Sequence, residues 1–145
     1  MDACADLDVR LEFGLQTIHP PEMRAVRRMN KLQDAERVIT ELHRRGIPFE
    51  VSLIYGLPEQ TLASLAASVR WCEERGVPVV RAFPLMLLRG TGLDQDRARW
   101  GLVESDDVVP VVIRSDTFTE PDWREMRSIA QALDARADAL VARAA

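Results

Sequence analysis

The sequence predicts an α/β fold with parallel strands, on three observations. Residues Leu7 to Gln16 alternate strictly, with Leu7, Val9, Leu11, Phe13 and Leu15 apolar and Asp8, Arg10, Glu12, Gly14 and Gln16 between them, which is the period of a strand with two different faces. Strand-like and helix-like segments then follow one another in the order β, α, β, α, β. Their connections are short, an arrangement that implies parallel strands joined by right-handed crossovers.

After the first strand, His19-Pro20-Pro21 ends the extended segment, and Met23 to Met29 reads as a short helix whose first turn tolerates Pro21. A second helix follows Asp34. Its stripe is Ala35, Val38, Ile39 and Leu42, and Gly46 is its stop before Ile47 and Pro48. The second strand, Phe49 to Ile54, runs into Gly56-Leu57-Pro58 and a helix from Leu62 to Arg75 with the stripe Leu62, Leu65, Val69 and Cys72. Gly56 supplies a positive φ, Pro58 fixes its own φ, and Thr61 caps the helix amides. In β/α layers, loops such as this one, at the carboxyl ends of strands, are where ligands gather. Gly76 stops the helix, Val77 to Leu85 is the third strand, and Arg89-Gly90-Thr91-Gly92 is a loop. A looser stretch is expected from Asp94 to Pro110. Beyond it come a short strand at Val111 to Ile113 and a helix from about Pro121, with Trp123, Met126, Ile129, Ala130 and Leu133 on one face.

The 145 residues, 47% of them hydrophobic, suffice for one core. A net charge of −4, with arginines interleaved among carboxylates, argues against a nucleic-acid footprint. Cys4 and Cys72 are too far apart to suggest a zinc site or a disulfide framework. No apolar run reaches membrane-spanning length and the acidic start is unlike a signal peptide, so the cytosol (cytoplasmic location) is the expected compartment. No Ser-His-Asp or Cys-His constellation and no Gly-x-Ser-x-Gly elbow points to a hydrolase. His19 and His43, without ligand-spaced partners, are expected at the surface, and Trp71, Trp100 and Trp123 in packing roles.

Four segments together carry a family resemblance. Phe13-Gly14-Leu15-Gln16-Thr17, Met29-Asn30-Lys31, Ile54-Tyr55-Gly56-Leu57-Pro58 and Leu88-Arg89-Gly90-Thr91-Gly92-Leu93 resemble, in order and spacing, landmarks of radical S-adenosylmethionine (radical SAM) enzymes. They are most similar to the group that often carries an upstream cobalamin-binding domain, and Ser115-Asp116-Thr117-Phe118-Thr119 resembles the family loosely. Each motif alone is weak evidence. Their register implies residues 1–93 as the carboxyl half of a (β/α)6 partial barrel, and 94–145 as an extension with a terminal helix.

The resemblance implies binding of S-adenosylmethionine for reductive cleavage to a 5′-deoxyadenosyl radical at a [4Fe-4S] cluster, with cobalamin present in some full-length relatives. Glu12, Gln16, Lys31 and Ser52 would position the cosubstrate, and the backbone of Ile54, Tyr55 and Leu57 with Phe83 and Leu85 would flank its adenine. Lys31 stands where the family usually has a carboxylate-pairing arginine, and keeps the charge without the planar fork. Ser52 stands where an aspartate often meets the ribose, and hydrogen-bonds less strongly than a carboxylate. The Cys-x-x-x-Cys-x-x-Cys loop that holds the cluster through thiolates is absent, as is a Gly-Gly-Glu-like strand. The chain alone is therefore expected to be inactive, with no metal ligand and no catalytic residue of its own.

Strand alternation puts Glu12 and Gln16 on the face opposite Leu11 and Phe13, toward the lumen; read from the residues alone they also fit the solvated face of an edge strand, Lys31 a surface position, Ser52 a small filler, and Phe83 and Leu85 a core. Arg81 either projects into the barrel lumen or ends at the surface. A half barrel leaves strand edges unpaired, so a second copy or a separately encoded amino-terminal half is the expected partner, beside a small-molecule substrate. The alternatives are a cluster-free small-molecule-binding or interaction module and a nonfunctional gene fragment.

Overall fold

The computed structural model describes residues 10–144; Cys4, Leu7 and Val9 lie outside the described residues. The elements are β1 (Leu11–Gln16), α1 (Pro20–Ala25), α2 (Leu32–Arg45), β2 (Phe49–Tyr55), α3 (Leu62–Glu74), β3 (Val79–Pro84), α4 (Gly92–Gln95), β4 (Val103–Glu104), β5 (Val112–Arg114) and α5 (Glu120–Ala144). Strands β1, β2 and β3 form one sheet in that order, and both pairings are parallel. The fold is therefore the α/β class that the alternating segments predict. Strands β4 and β5 form a separate antiparallel pair.

One face of the sheet is covered by helices. Leu15, Val51, Leu53, Val80 and Ala82 join Ile39 and Leu42 of α2, Leu65, Val69 and Cys72 of α3, and Met126, Ala130 and Leu133 of α5 in a single core. Val51, Leu53 and Leu65 are wholly inaccessible, and burying each such side chain is worth about 1.5–3 kcal/mol. Helix α5 packs against the sheet, chiefly on β3. The other face, by the two-residue period of a strand, presents Glu12, Glu50, Ser52, Ile54, Arg81 and Phe83.

Local chemistry explains the helix boundaries. Gly46 ends α2 in the left-handed conformation, φ 65°, as its position after the last apolar turn requires. Thr61 and Ser64 form a reciprocal capping box on α3, satisfying amides that would otherwise lack partners. The short helix expected at Met23 to Met29 lies instead at Pro20–Ala25. Both prolines occupy its first turn, where a missing N–H costs nothing, and Arg27 leaves helical space at φ 56°. Val38, expected inside the α2 stripe, is exposed. So is the segment Asp106–Val109, but the stretch before it is tied down. Asp94 accepts from the Gly90 amide at 3.0 Å and binds Arg89 and Arg97, Arg97 reaches Glu104 at 2.9 Å, and Leu102 is buried.

Candidate functional site

The face of the sheet away from α2 and α3 gathers several of the sequence-predicted site residues. Register pairs Glu12 with Glu50, Gly14 with Ser52, and Ser52 in turn with Arg81. Ser52 Oγ donates to Glu12 Oε1 at 2.6 Å, so these two form one polar unit across β1 and β2. One row further on, Ile54 pairs with Phe83; Phe83 is 46% exposed, leaving an apolar platform beside the polar unit. Gln16 ends β1 at φ 66°, where a register shift interrupts the β1–β2 ladder. Lys31 is exposed at the N-cap of α2 and makes no ion pair among the described residues.

Tyr55, Leu57 and Leu85 stand differently. Their side chains are buried, and Tyr55 packs against Trp123 with ring centroids 6.0 Å apart. Only their backbone could meet a ligand. That backbone is largely committed, since the amides of Gly56 and Leu57 donate to Gln60 Oε1 at 2.7 and 3.2 Å, and Gln60 Nε2 donates to the Ile54 carbonyl at 3.0 Å. The Tyr55 carbonyl accepts from the Leu85 amide at 2.9 Å, and the Leu85 carbonyl from the Val112 amide at 2.9 Å. Strand β5 thus crosses the carboxyl ends of β2 and β3.

Arg81 settles into a carboxylate cluster. It lies 3.8 Å from Glu50, 3.0 Å from Asp134 and 3.4 Å from Asp138, so its charge is matched by the protein itself. Arg10 also reaches Glu50, at 3.3 Å.

Beneath the site, a buried polar network joins β1 to α3. Glu22 is 1% exposed; Thr17 Oγ1 donates to its Oε2 and Ser64 Oγ to its Oε1, both at 2.8 Å. His19, expected at the surface, is half-buried and also joins the network: its Nε2 donates to the Ser64 carbonyl at 2.9 Å and its amide to Thr17 Oγ1 at 3.1 Å. Burial raises the Glu22 carboxyl above its ordinary 4.5, against the lowering pull of its Thr17 and Ser64 hydrogen bonds. A raised folded-state value means that this group's contribution to stability is full below pH 4.5 and is lost as pH rises through the raised value. The Glu22→Gln variant, which cannot ionise, should therefore gain stability relative to the parent as pH rises from 4 to 8. Urea unfolding across that range checks it; a parallel pH dependence in both proteins would refute the assignment.

Sequence reasoning missed Gln60 and Glu22. The signal for Gln60 was its spacing, four residues after Gly56, which lets one amide side chain span the Gly-Leu-Pro turn. Glu22 had no comparable signal, because an acidic residue in a first helical turn is ordinarily a solvated dipole partner.

The described residues do not fit an iron–sulfur cluster. Thiolates are needed to hold one, whereas Cys72 is wholly buried and burial pushes its thiol up to about 12. Among the described residues no group of three or more His, Cys, Asp or Glu could hold a metal ion. No helix among them is long and apolar enough to cross a membrane.

No family model matches the sequence. An uncharacterized protein of Methanocaldococcus jannaschii is 24% identical over 88 residues, which are 61% of this chain and 27% of that protein. Among solved structures, the archaeal Elp3 of Methanocaldococcus infernus superposes with a TM-score of 0.58 at 20% identity, over 66% of this chain and 24% of its own. TsrM of Kitasatospora setae, a radical S-adenosylmethionine methyltransferase, superposes at 0.60 in two structures. One, with tryptophan substrate and a SAM analog bound, matches at 21% identity over 78% of this chain and 24% of its own. The other, with cobalamin and a [4Fe-4S] cluster bound, matches at 19% over 84% and 25%. The chain thus spans about a quarter of the length of each of these proteins. With its three parallel strands and α2 and α3 on one face, the chain has a partial radical SAM-like fold.

Proposed function

We propose that this chain forms the cosubstrate-facing carboxyl half of a radical SAM barrel, with cluster ligands supplied by sequence elsewhere. The observation that carries the reading is the sheet face away from α2 and α3, where Glu12, bonded to the buried Ser52, lies beside the Ile54–Phe83 platform. The polar unit suits the ribose hydroxyls, the platform suits adenine, and the unpaired Lys31 ammonium suits the carboxylate of S-adenosylmethionine. Gln16, also at the end of β1, would add a polar contact. In that chemistry a reduced [4Fe-4S] cluster supplies the electron that cleaves the sulfonium; nothing in the described residues holds one, so the isolated chain should not turn over. Residues 1–93 would then be the barrel half and 94–145 an extension that closes its carboxyl end, through β5.

A partner is part of this reading. β1 is an outer strand of the sheet, and a cavity of about 480 Å³ beside it is lined by Phe13, Leu15, Met29, Lys31, Ala35 and Val38. Met29 and Val38 are exposed there. A strand edge without a partner among the described residues, next to an apolar hollow, favours a covering element, and a separately encoded amino-terminal half fits it better than a second copy because it would also bring the cysteine loop.

Titration with S-adenosylmethionine tests the site, alone and with an amino-terminal half that carries the Cys-x-x-x-Cys-x-x-Cys loop. Saturable binding is expected, weakened about tenfold or more by Glu12→Ala, with formation of 5′-deoxyadenosine only when the second half and a reductant are added. Binding unchanged by Glu12→Ala would sink the lumen assignment. Binding with no cleavage in the reconstituted pair would favour a cluster-free binding module, and no binding under either condition a relic.

A further inference from the structure

Three non-glycine residues of the described chain stand at positive φ: Gln16 at 66°, Arg27 at 56° and Glu59 at 68°. Gln16 ends β1, Arg27 follows α1 and Glu59 lies in the turn after β2, and backbone held in this sparsely populated region concentrates at functional sites. Arg27 and Glu59 line one cavity of about 370 Å³, together with Arg24, Asp96, Arg99 and Trp100. The cavity is assembled from three separate connections: α1 and its end after β1, the turn after β2, and α4 with the residues that follow it after β3.

Its charge is unevenly matched. Arg27 Nη2 donates to Asp96 Oδ2 at 3.3 Å, and its guanidinium lies so close to Gly92 that a Cβ there would sit 3.2 Å from Nη1. Arg27 is thereby paired by the protein, although its side chain is 74% exposed. Arg24 and Arg99 have no carboxylate partner among the described residues. The Arg99 guanidinium lies 4.8 Å over the Trp100 ring, which orients it without cancelling its charge. Against these two arginines stands Glu59, exposed, so the cavity keeps an excess of positive charge. A concave site walled by Trp100 and Pro21 strengthens the attraction of such charges for an anion, and the planar guanidinium fork matches carboxylate and phosphate oxygens.

We infer that this cavity binds the anionic group, carboxylate or phosphate, of a small-molecule ligand through Arg24 and Arg99, with the charge of Arg27 taken up by Asp96. The inference goes beyond the cosubstrate reading and does not depend on it, since none of these arginines belongs to the face that carries Glu12 and Ser52.

Calorimetric titration of the full chain with inorganic pyrophosphate and, separately, succinate, at constant ionic strength, tests it. At least one probe should bind saturably, and Arg24→Gln and Arg99→Gln should each weaken that binding about tenfold or more, while Arg37→Gln on α2 leaves it unchanged. Both target side chains are exposed, and circular dichroism confirms that the variants fold. Binding of pyrophosphate alone identifies a phosphate ligand, and of succinate alone a carboxylate. Failure of both probes to saturate, or binding that neither target variant weakens, overturns the inference. S-adenosylmethionine titrated against the same variants should bind them as it binds the parent, which keeps the two sites distinguishable.

Discussion

Replacing Gln60 by alanine is expected to destabilise the fold by about 3–5 kcal/mol, because two buried backbone amides and a half-buried carbonyl lose their partner at once. Gln60 is 1% exposed. Its Oε1 accepts from the amides of Gly56 and Leu57, and its Nε2 donates to the carbonyl of Ile54. Each orphaned group costs about 1–3 kcal/mol where water cannot replace the partner. Gln60→Glu separates the two halves of this role: the carboxylate still accepts from both amides but has no donor for Ile54, and it brings a charge into a buried place. It should fall between the parent and Gln60→Ala, and lose ground as pH rises and the buried carboxyl ionises. Urea unfolding at pH 5 and pH 8 measures both effects. A loss below about 1 kcal/mol for Gln60→Ala would mean that water substitutes for the side chain, and that the turn is held by something else.

This turn also shows how much of the molecule is legible in the sequence. The β, α, β, α, β order, the helix stop at Gly46 and the Thr61 cap depend on neighbours within a few residues, and each stands where the local pattern puts it. The strand period likewise places Glu12 and Ser52 on one face, and the structure joins them at 2.6 Å. Contacts across long sequence separations left no such trace. Arg81 could be read as lumenal or superficial, and what decides its partners is α5, more than fifty residues later, which delivers Asp134 and Asp138. His19 looked superficial because its carbonyl partner belongs to Ser64. The buried state of Tyr55, Leu57 and Leu85 follows from α5 and β5 closing over them, a packing arrangement that no local periodicity encodes. Val38 departs in the opposite direction. Its helical spacing is that of a core residue, yet it is exposed and borders the hollow beside β1.

Gly56→Ala is the second large effect, expected at about 2–4 kcal/mol from strain and collision together. Gly56 holds φ 93°, and a Cβ there would meet the Val112 carbonyl oxygen at 3.0 Å and the Leu85 Cβ at 3.6 Å. The obstacle is backbone, and it cannot easily retreat. Val112 is wholly buried, its amide is bonded to the Leu85 carbonyl at 2.9 Å, and it pairs with Glu104 across the β4–β5 ladder. Gly46 supplies the control, since it stands at φ 65° with nothing within 4 Å of a built Cβ. Gly46→Ala therefore isolates the conformational cost of a left-handed alanine, about 1 kcal/mol. The excess loss in Gly56→Ala over Gly46→Ala measures how tightly β5 lies on the end of β2. Faster hydrogen exchange at the Val112 amide in Gly56→Ala would show that β5 lifts to make room. Equal losses in the two variants would mean that β5 yields freely, and with it the proposal that the extension closes the carboxyl end of the sheet.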